Sequence, residues 1–439
     1  MKKLVPFFFL VFLFKFILIF LFPISADETY YWVWSKNLQL SYFDHPAMIS
    51  WLLATFPFLN SFNGGFRIPI LILGQLTFLI WILIAKSRLN GKALFLFMLL
   101  YSASPLLGVG SIIATPDVPL MFFWSLSLFL LLRYEKNPSS LNASYLGMSL
   151  GLGFCSKYHI VLFIPCLLIW IFLNFRKIPI KLAHIASSIF FGLLFCFPVL
   201  YWNYQNDFIS FLFQIKHGLG RNYYMMSWTY SYVFAQAVIL FPTVAYCFIK
   251  NSKDYRNLFF IFAAFPLVFF LYSSTKSVVE INWPIVAYPS LLLFVCIHAI
   301  KPIHAYLKTA FFSLLLLFLI LQTHFHMLPH SPEKIYETER IESVLPDVQA
   351  LSPLYGGTYQ IASYLWYRLQ HPVYKLYDMS RFDAYDMMKG SQPDTNHFFL
   401  LAEEETVLPE WLGTKNYRAQ ILKKIDTLIL YEVQKNEIP

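Results

Sequence analysis

"DETYYWVWSKNLQLSYFDHP", Asp27 to Pro46, follows directly on the first long apolar stretch of the chain. It sets three carboxylates (Asp27, Glu28 and Asp44) and His45 among Tyr and Trp rings. An ordinary loop needs no such mixture. Its meaning depends on whether the surrounding chain crosses a membrane, and on which side this segment then lies.

The chain has 439 residues, of which 58% are hydrophobic, 20% aromatic and only 13% charged. Soluble globular proteins carry about 25% charged residues, so that class is excluded. Apolar runs near the length that spans a bilayer as a helix recur up to about residue 325. They lie near 4–22, 68–85, 93–110, 118–132, 143–156, 160–175, 182–200, 233–249, 258–272, 284–300 and 309–325. The expected fold class is therefore a polytopic α-helical membrane protein with about eleven transmembrane helices.

Charge sets the orientation. Lys86 with Arg88 and Lys92, Arg133 with Lys136, Arg176 with Lys177 and Lys181, Lys250 to Arg256, and Lys301 with Lys308 fall on one side of the spans, with Lys2 and Lys3. By the positive-inside rule that side is the cytoplasm. Asp27, Glu28, Asp44, Asp117, Asp207 and Glu280, six of the eight acidic residues before residue 326, fall on the other. A weak cleavage-like sequence, Ile24-Ser25-Ala26, gives the first run some signal-peptide character, and Asp27 emerges outside on either reading. The five cysteines (155, 166, 196, 247 and 296) all lie in apolar runs, which argues against disulfides or a cysteine metal site. Before residue 326 there are 22 basic and 8 acidic residues, and afterwards 11 and 16. Topology explains the basic excess, so no nucleic-acid partner is expected.

Beyond residue 325 the spanning runs stop. "TYQIASYLWYRL" has helical periodicity, while "HPVYKLYD", "NHFFLLAEE" and "DTLILYEVQK" alternate as strands do. Two domains are expected: a multi-span catalytic domain over 1–325 and a small extracytoplasmic α/β domain over 326–439.

The opening stretch can then be read as a helix along the outer membrane surface, its rings in the headgroup layer. Asp27 and Glu28 suit the helix start, where carboxylates favour the dipole, but capping needs only one of them. Four further clusters fall on the same side: Asp117 in "ATPDVP"; Lys157, Tyr158 and His159 in "SKYH"; Lys216, His217 and Arg221 in "KHGLGRN"; and Lys276 and Glu280 in "TKSVVEINWP". A carboxylate at membrane depth is a functional candidate by default. Lysine and arginine hold phosphate, and a carboxylate takes a proton from an acceptor hydroxyl. Both needs arise when a sugar leaves a lipid phosphate. The same residues are compatible with a transporter or flippase of envelope glycolipids, although such proteins place ionisable groups near the midplane and usually repeat their halves. Here no repeat is evident, and Lys15 is the one awkward cation inside a span.

"DETYYWVWSKNLQLSYFDHPAMISWL", "TPDVPLMFFW", "GLGFCSKYHIVLF" and "EINWPIVAYPS" occur in an order that resembles the bacterial dolichyl-phosphate-mannose protein mannosyltransferase-like family, which includes aminoarabinose transferases that modify lipid A. "GTYQIASYLWYRL" with "VYKLYDMSRFDAYD" is similar to that family's C-terminal region. The resemblance implies the C-type glycosyltransferase (GT-C) fold in a bacterial inner membrane. It implies a polyprenyl-phosphate sugar donor used on the outer face, and an acceptor that is a lipid, a glycan or a protein. The family's first-loop Asp-Glu falls on Asp27-Glu28, its second-loop Asp on Asp117, Asp-His-Pro on Asp44-His45-Pro46, and Ser-Lys-Tyr on Ser156-Lys157-Tyr158. Asp27, Glu28 and Asp117 are thus the expected catalytic set. Asp44, His45, Lys157, Tyr158, His217, Arg221, Lys276 and Glu280 are expected to bind donor phosphate or substrate. No nucleotide or redox cofactor is needed. A divalent magnesium or manganese ion bridging carboxylates and phosphate fits hard oxygen ligands, and metal dependence stays open.

The orientation is directly testable. Single cysteines at Asn37 and Asn222 are expected to react with an impermeant thiol reagent on intact spheroplasts, and one at Asn251 is not. Labelling confined to Asn251 would invert the assignment.

Overall fold

The computed structural model describes residues 4–175, 181–220, 223–325 and 333–436. Each of the eleven apolar runs contains a helix, as α1 (Leu4–Leu21), α4 (Ile68–Lys86), α5 (Gly91–Ser102), α6 (Asp117–Lys136), α7 (Ser140–Phe154), α8 (Phe163–Asn174), α9 (Leu182–Gln205), the pair α11 (Met226–Leu240) and α12 (Pro242–Lys250), α13 (Leu258–Ser273), α14 (Tyr288–Ile297) and α15 (Pro302–Phe325), although the run 93–110 turns after Ser102. Between them lie the short α2 (Ala26–Trp34), α3 (Met48–Ala54) and α10 (Ile209–Leu219). The expected count of eleven spans is not what helix length supports. Five described helices are long and apolar enough to cross a membrane, or six if α11 and α12, bent by 95° at Phe241, form one broken span. Most of the others are stopped short of full length by prolines, turns and polar loop segments.

Packing divides the chain into two units, and not at residue 325. The first runs up to Leu21 and from Leu40 to Phe318; the second joins Phe22–Gln39 to the chain from Leu319 onward.

In the first unit α7 lies against α9 with its backbone almost touching. "ASYLGMSLG" places Ala143, Gly147 and Gly151 four residues apart on one face, the small-residue spacing that lets helices in lipid approach closely. A Cβ on Gly147 would stand 2.0 Å from the Ser188 carbonyl oxygen, and one on Gly151 2.5 Å from that of Gly192. A hydroxyl pair adds to the seam, Ser144 and Ser187 at 2.6 Å, and on the other side of α7 Ser127 of α6 donates to Ser149 at 2.9 Å. Trp81 donates its indole N–H to Ser125 at 2.7 Å. Lys15 is not a stray charge, since its Nζ donates to Ser111 Oγ at 2.8 Å.

The second unit is built on a five-stranded sheet of β1 (Leu354–Gly356), β2 (Tyr374–Lys375), β3 (His397–Glu403), β4 (Tyr417–Ile425) and β5 (Leu428–Lys435), in the order β2-β1-β3-β5-β4. β1 is parallel to β2 and β3, while β3, β5 and β4 are antiparallel. α17 (Tyr359–Leu369), capped by Thr358, makes the crossover from β1 to β2; α16 (Glu333–Val348) and the single turn α18 (Trp411–Thr414) complete the unit. Lys375 is fully buried between Asp383 (2.9 Å) and Asp386 (2.5 Å).

The expectation for the opening stretch needs correction. The rings of α2 are covered by protein and are not free to sit in a headgroup layer. Tyr30, Trp32 and Trp34 are buried at 3%, 1% and 0% exposure, and α2 packs on α17. The Tyr30 ring is 4.5 Å from Tyr359 and 5.9 Å from Tyr385, and Trp32 meets Tyr367 edge-on at 5.3 Å. The same amphipathic rings that suit an interface also suit a core with polar partners, such as the Ala384 N–H that donates to the Tyr30 hydroxyl at 2.9 Å.

The seam between α7 and α9 has no room for a side chain. Gly147→Val is expected to lower stability by about 1–3 kcal/mol through overpacking. Gly91→Ala, with nothing within 4 Å of the new methyl, is expected to be neutral or slightly stabilising. Thermal unfolding of the two variants in detergent checks the contrast, and equal melting temperatures would refute it.

Candidate functional site

Asp117 opens α6 in the first turn, between Pro116 and Pro119, while Arg133 and Lys136 close its last turn. That charge order matches the helix dipole at both ends. The carboxylate is nonetheless more than a helix-end charge. Its Oδ1 accepts from Lys157 Nζ at 2.7 Å, and its Oδ2 from Asn282 Nδ2 at 2.6 Å. Both charged side chains are nearly buried, at 7% for Lys157 and 8% for Asp117.

Lys157 sits where the chain breaks between α7 and α8. Ser156 and Lys157 both donate their backbone N–H groups to the Gly153 carbonyl, ending α7, and a short 3-10 turn over Tyr158–Leu162 leads into α8. The Asp-His-Pro turn is tied to this break: the Met48 N–H donates to the Cys155 carbonyl at 2.9 Å, and Ser41 bridges to Pro46. Asp44 is buried, with its carbonyl accepting from Gln214 Nε2 at 2.5 Å. Tyr158 shares a 2.8 Å hydrogen bond with Ser210, so α10 is held by both motifs.

A wall of rings continues the site. His217 stacks on Phe213 (centroids 5.7 Å apart, planes at 14°), and Phe213 meets Phe43 at 4.6 Å. Trp283, next in sequence to Asn282, lies 5.7 Å from His159 and 5.5 Å from His217. His45 and Lys157 are within electrostatic reach of His159, whose Nδ1 is buried with no hydrogen-bond partner among the described residues. Ser277 Oγ donates to the His217 carbonyl at 2.7 Å, fixing the 273–283 segment against α10. Beside Asp117 a small cleft of about 20 Å³ is lined by Gly74, Thr77, Tyr101, Ser111, Met121 and Ile285. Its lining is mostly apolar, with hydroxyls at a few points.

The first unit thus brings together five of the predicted residues, Asp44, His45, Asp117, Lys157 and Tyr158, with His217 on the ring wall. Lys276 and Glu280 lie on the connecting segment with exposed side chains, and Arg221 falls outside the described residues. The sequence reading missed Asn282, Trp283 and Gln214. "EINWP" was in view for its acid, but an amide carries no charge to mark it. In the second unit Asp27 is half-buried and accepts from the Tyr359 hydroxyl at 3.0 Å. Glu28 is fully buried, and its carboxylate accepts from the Ser25 N–H at 3.2 Å while Ser25 Oγ accepts the Glu28 N–H at 3.3 Å. The two bonds form a reciprocal capping box at the start of α2. Among the described residues no three His, Cys, Asp or Glu side chains gather as a metal site.

A broken-helix bundle with buried charges at helix ends, joined to a small mixed sheet, is the GT-C glycosyltransferase fold. Two crystal structures of ArnT from Cupriavidus metallidurans share it over 98% of both chains, the undecaprenyl phosphate complex at TM-score 0.66 and 13% identity, the apo state at 0.68 and 12%. Residues 44–202 match the family model described as dolichyl-phosphate-mannose-protein mannosyltransferase. The lipid A galacturonosyltransferase RgtD of Rhizobium johnstonii is 24% identical over 275 residues, 60% of this chain and 58% of that protein's length. The chain is thus similar over part of its length to a mannosyltransferase family and to a lipid A-modifying transferase, and it shares its fold with ArnT.

Removing one partner of a buried ion pair strands the other charge at a cost of about 3–5 kcal/mol, whereas replacing both by apolar groups is often close to neutral. Asp117→Asn and Lys157→Met are each expected to lower the melting temperature, and the double variant Asp117→Leu/Lys157→Met to recover most of the loss. Additive losses in the double variant would show that the two side chains act separately.

Proposed function

We propose that this protein is a membrane glycosyltransferase that moves one sugar from a polyprenyl-phosphate donor to a hydroxyl of a lipid acceptor on the outer face of the inner membrane. The observation that carries the reading is the buried Asp117–Lys157–Asn282 cluster, set among aromatic rings at helix ends in a GT-C fold. The undecaprenyl phosphate in the ArnT complex supports the donor class, and the name of RgtD supports lipid A as the acceptor to test first.

In the proposed reaction the acceptor oxygen attacks the anomeric carbon of the donor. The bond from that carbon to the phosphate oxygen breaks, and polyprenyl phosphate leaves with the electron pair. Asp27 takes the acceptor proton as general base, which accounts for every atom without a redox partner. Lys157 offers the phosphate a cation in surroundings where water screens it poorly. In the free protein Asp117 already neutralises that cation, so an arriving phosphate exchanges one anion for another and avoids the full desolvation of a bare ammonium. Asn282 continues to hold Asp117, which orients the acceptor. His217, Arg221 and Lys276 are secondary phosphate contacts in this scheme.

Mass spectrometry of envelope lipids from a deletion strain is expected to show loss of one sugar from a lipid, restored by the wild-type gene. With purified, donor-supplied protein, Asp27→Asn keeps the shape and the helix start, and is expected to lower transfer by a factor on the order of 10²–10⁴. Asp207→Asn, an exposed carboxylate outside the clusters, serves as the control and is expected to stay near normal. Lys157→Ala is expected to impair donor use far more than Lys36→Ala. An unchanged lipid profile, or near-normal turnover in Asp27→Asn, would refute the corresponding part of the scheme.

A further inference from the structure

Asp27 lies in the first turn of a helix of only nine residues, too short to hold its own geometry. Its position is set by what α2 packs against. Tyr359, the first residue of α17, reaches back 332 residues in sequence to donate its phenol O–H to Asp27 Oδ1 at 3.0 Å. The Tyr359 ring is itself held twice: Tyr30 lies 4.5 Å from its centroid, and the Arg381 guanidinium carbon sits over it at 5.1 Å. The backbone at its foot is fixed by the Thr358 cap, whose hydroxyl accepts the Ile361 N–H at 3.3 Å. A hydroxyl on a ring clamped in this way has little freedom to swing away from the carboxylate. A carboxylate has about four lone-pair sites, so accepting this bond leaves it able to take a proton.

We propose that Tyr359 is a positioning residue for the transfer reaction, its clamped phenol aiming the Asp27 carboxylate at the acceptor hydroxyl. The inference rests on the reading of Asp27 as the base. It gives the chain from Leu319 onward a part in the reaction, since the tyrosine, its arginine and its capping threonine all come from there.

The test is a double-mutant cycle in the full-length, purified protein with a polyprenyl-phosphate sugar donor. Tyr359→Phe keeps both ring contacts and deletes only the O–H. Turnover is expected to fall on the order of 10- to 100-fold, the scale of a hydrogen bond to a charged group, with KM for the donor little changed. In the Asp27→Asn background the same substitution is expected to change turnover by less than about 2-fold, because no carboxylate remains to be aimed. A melting temperature unchanged in Tyr359→Phe separates aiming from folding. Full activity in Tyr359→Phe beside a crippled Asp27→Asn overturns the inference alone, as do equal losses from Tyr359→Phe in both backgrounds. Full activity in Asp27→Asn overturns the base assignment, and the inference with it.

Discussion

The first unit depends on one buried ion pair. Asp117 and Lys157 come from different helix breaks, and neither charge is tolerable at its depth without the other. Their pairing joins the start of α6 to the break that follows α7. With the pair in place, Asn282 has an acceptor, and the segment bearing Trp283 is drawn against His159 and His217. The Asp-His-Pro turn then docks on the broken end of α7 through the Met48 amide. A functional role for this cluster is consistent with its cost, since a bundle of this composition needs no buried charge for stability.

The second unit follows a different logic. Its helix α2 is encoded more than 300 residues before the strands it serves, and it joins them through rings. Tyr30 is the centre of that joint, touching Tyr359 and Tyr385 and accepting the Ala384 N–H. The capping box of Ser25 and Glu28 then sets where α2 starts, and so where Asp27 stands.

How much of this was legible in the sequence depends on whether the signal is local. Long apolar runs and the alternation of β3 and β5 are local, and the helices and strands follow them. β4 was missed because most of its side chains are exposed on both faces, so "YRAQILKKI" carries no clean alternation. β1 is too short to show a period. The rings of α2 were assigned to the headgroup layer because a tyrosine carries no mark of whether water, lipid or another tyrosine will meet it. The charged members of the site were visible for the opposite reason, that charge in an apolar chain needs an explanation. Asn282, Gln214 and Tyr359 have no such mark, and only the folded chain brings them to Asp117, Asp44 and Asp27.

The rims of the small sheet have a consequence for life in a membrane. Proteins held in a bilayer share one up-down orientation and diffuse in a plane, so their sheet rims meet at equal height far more often than in free solution. An open rim of unpaired backbone would then zip neighbouring copies into ribbons. On one side β2 offers only two residues; on the other β4 has a register break between Ile421 and Lys423. Lys423 pairs there with Asp347, and Lys424 with Glu404. Charge, brevity and a kink make both rims poor templates for pairing with another copy.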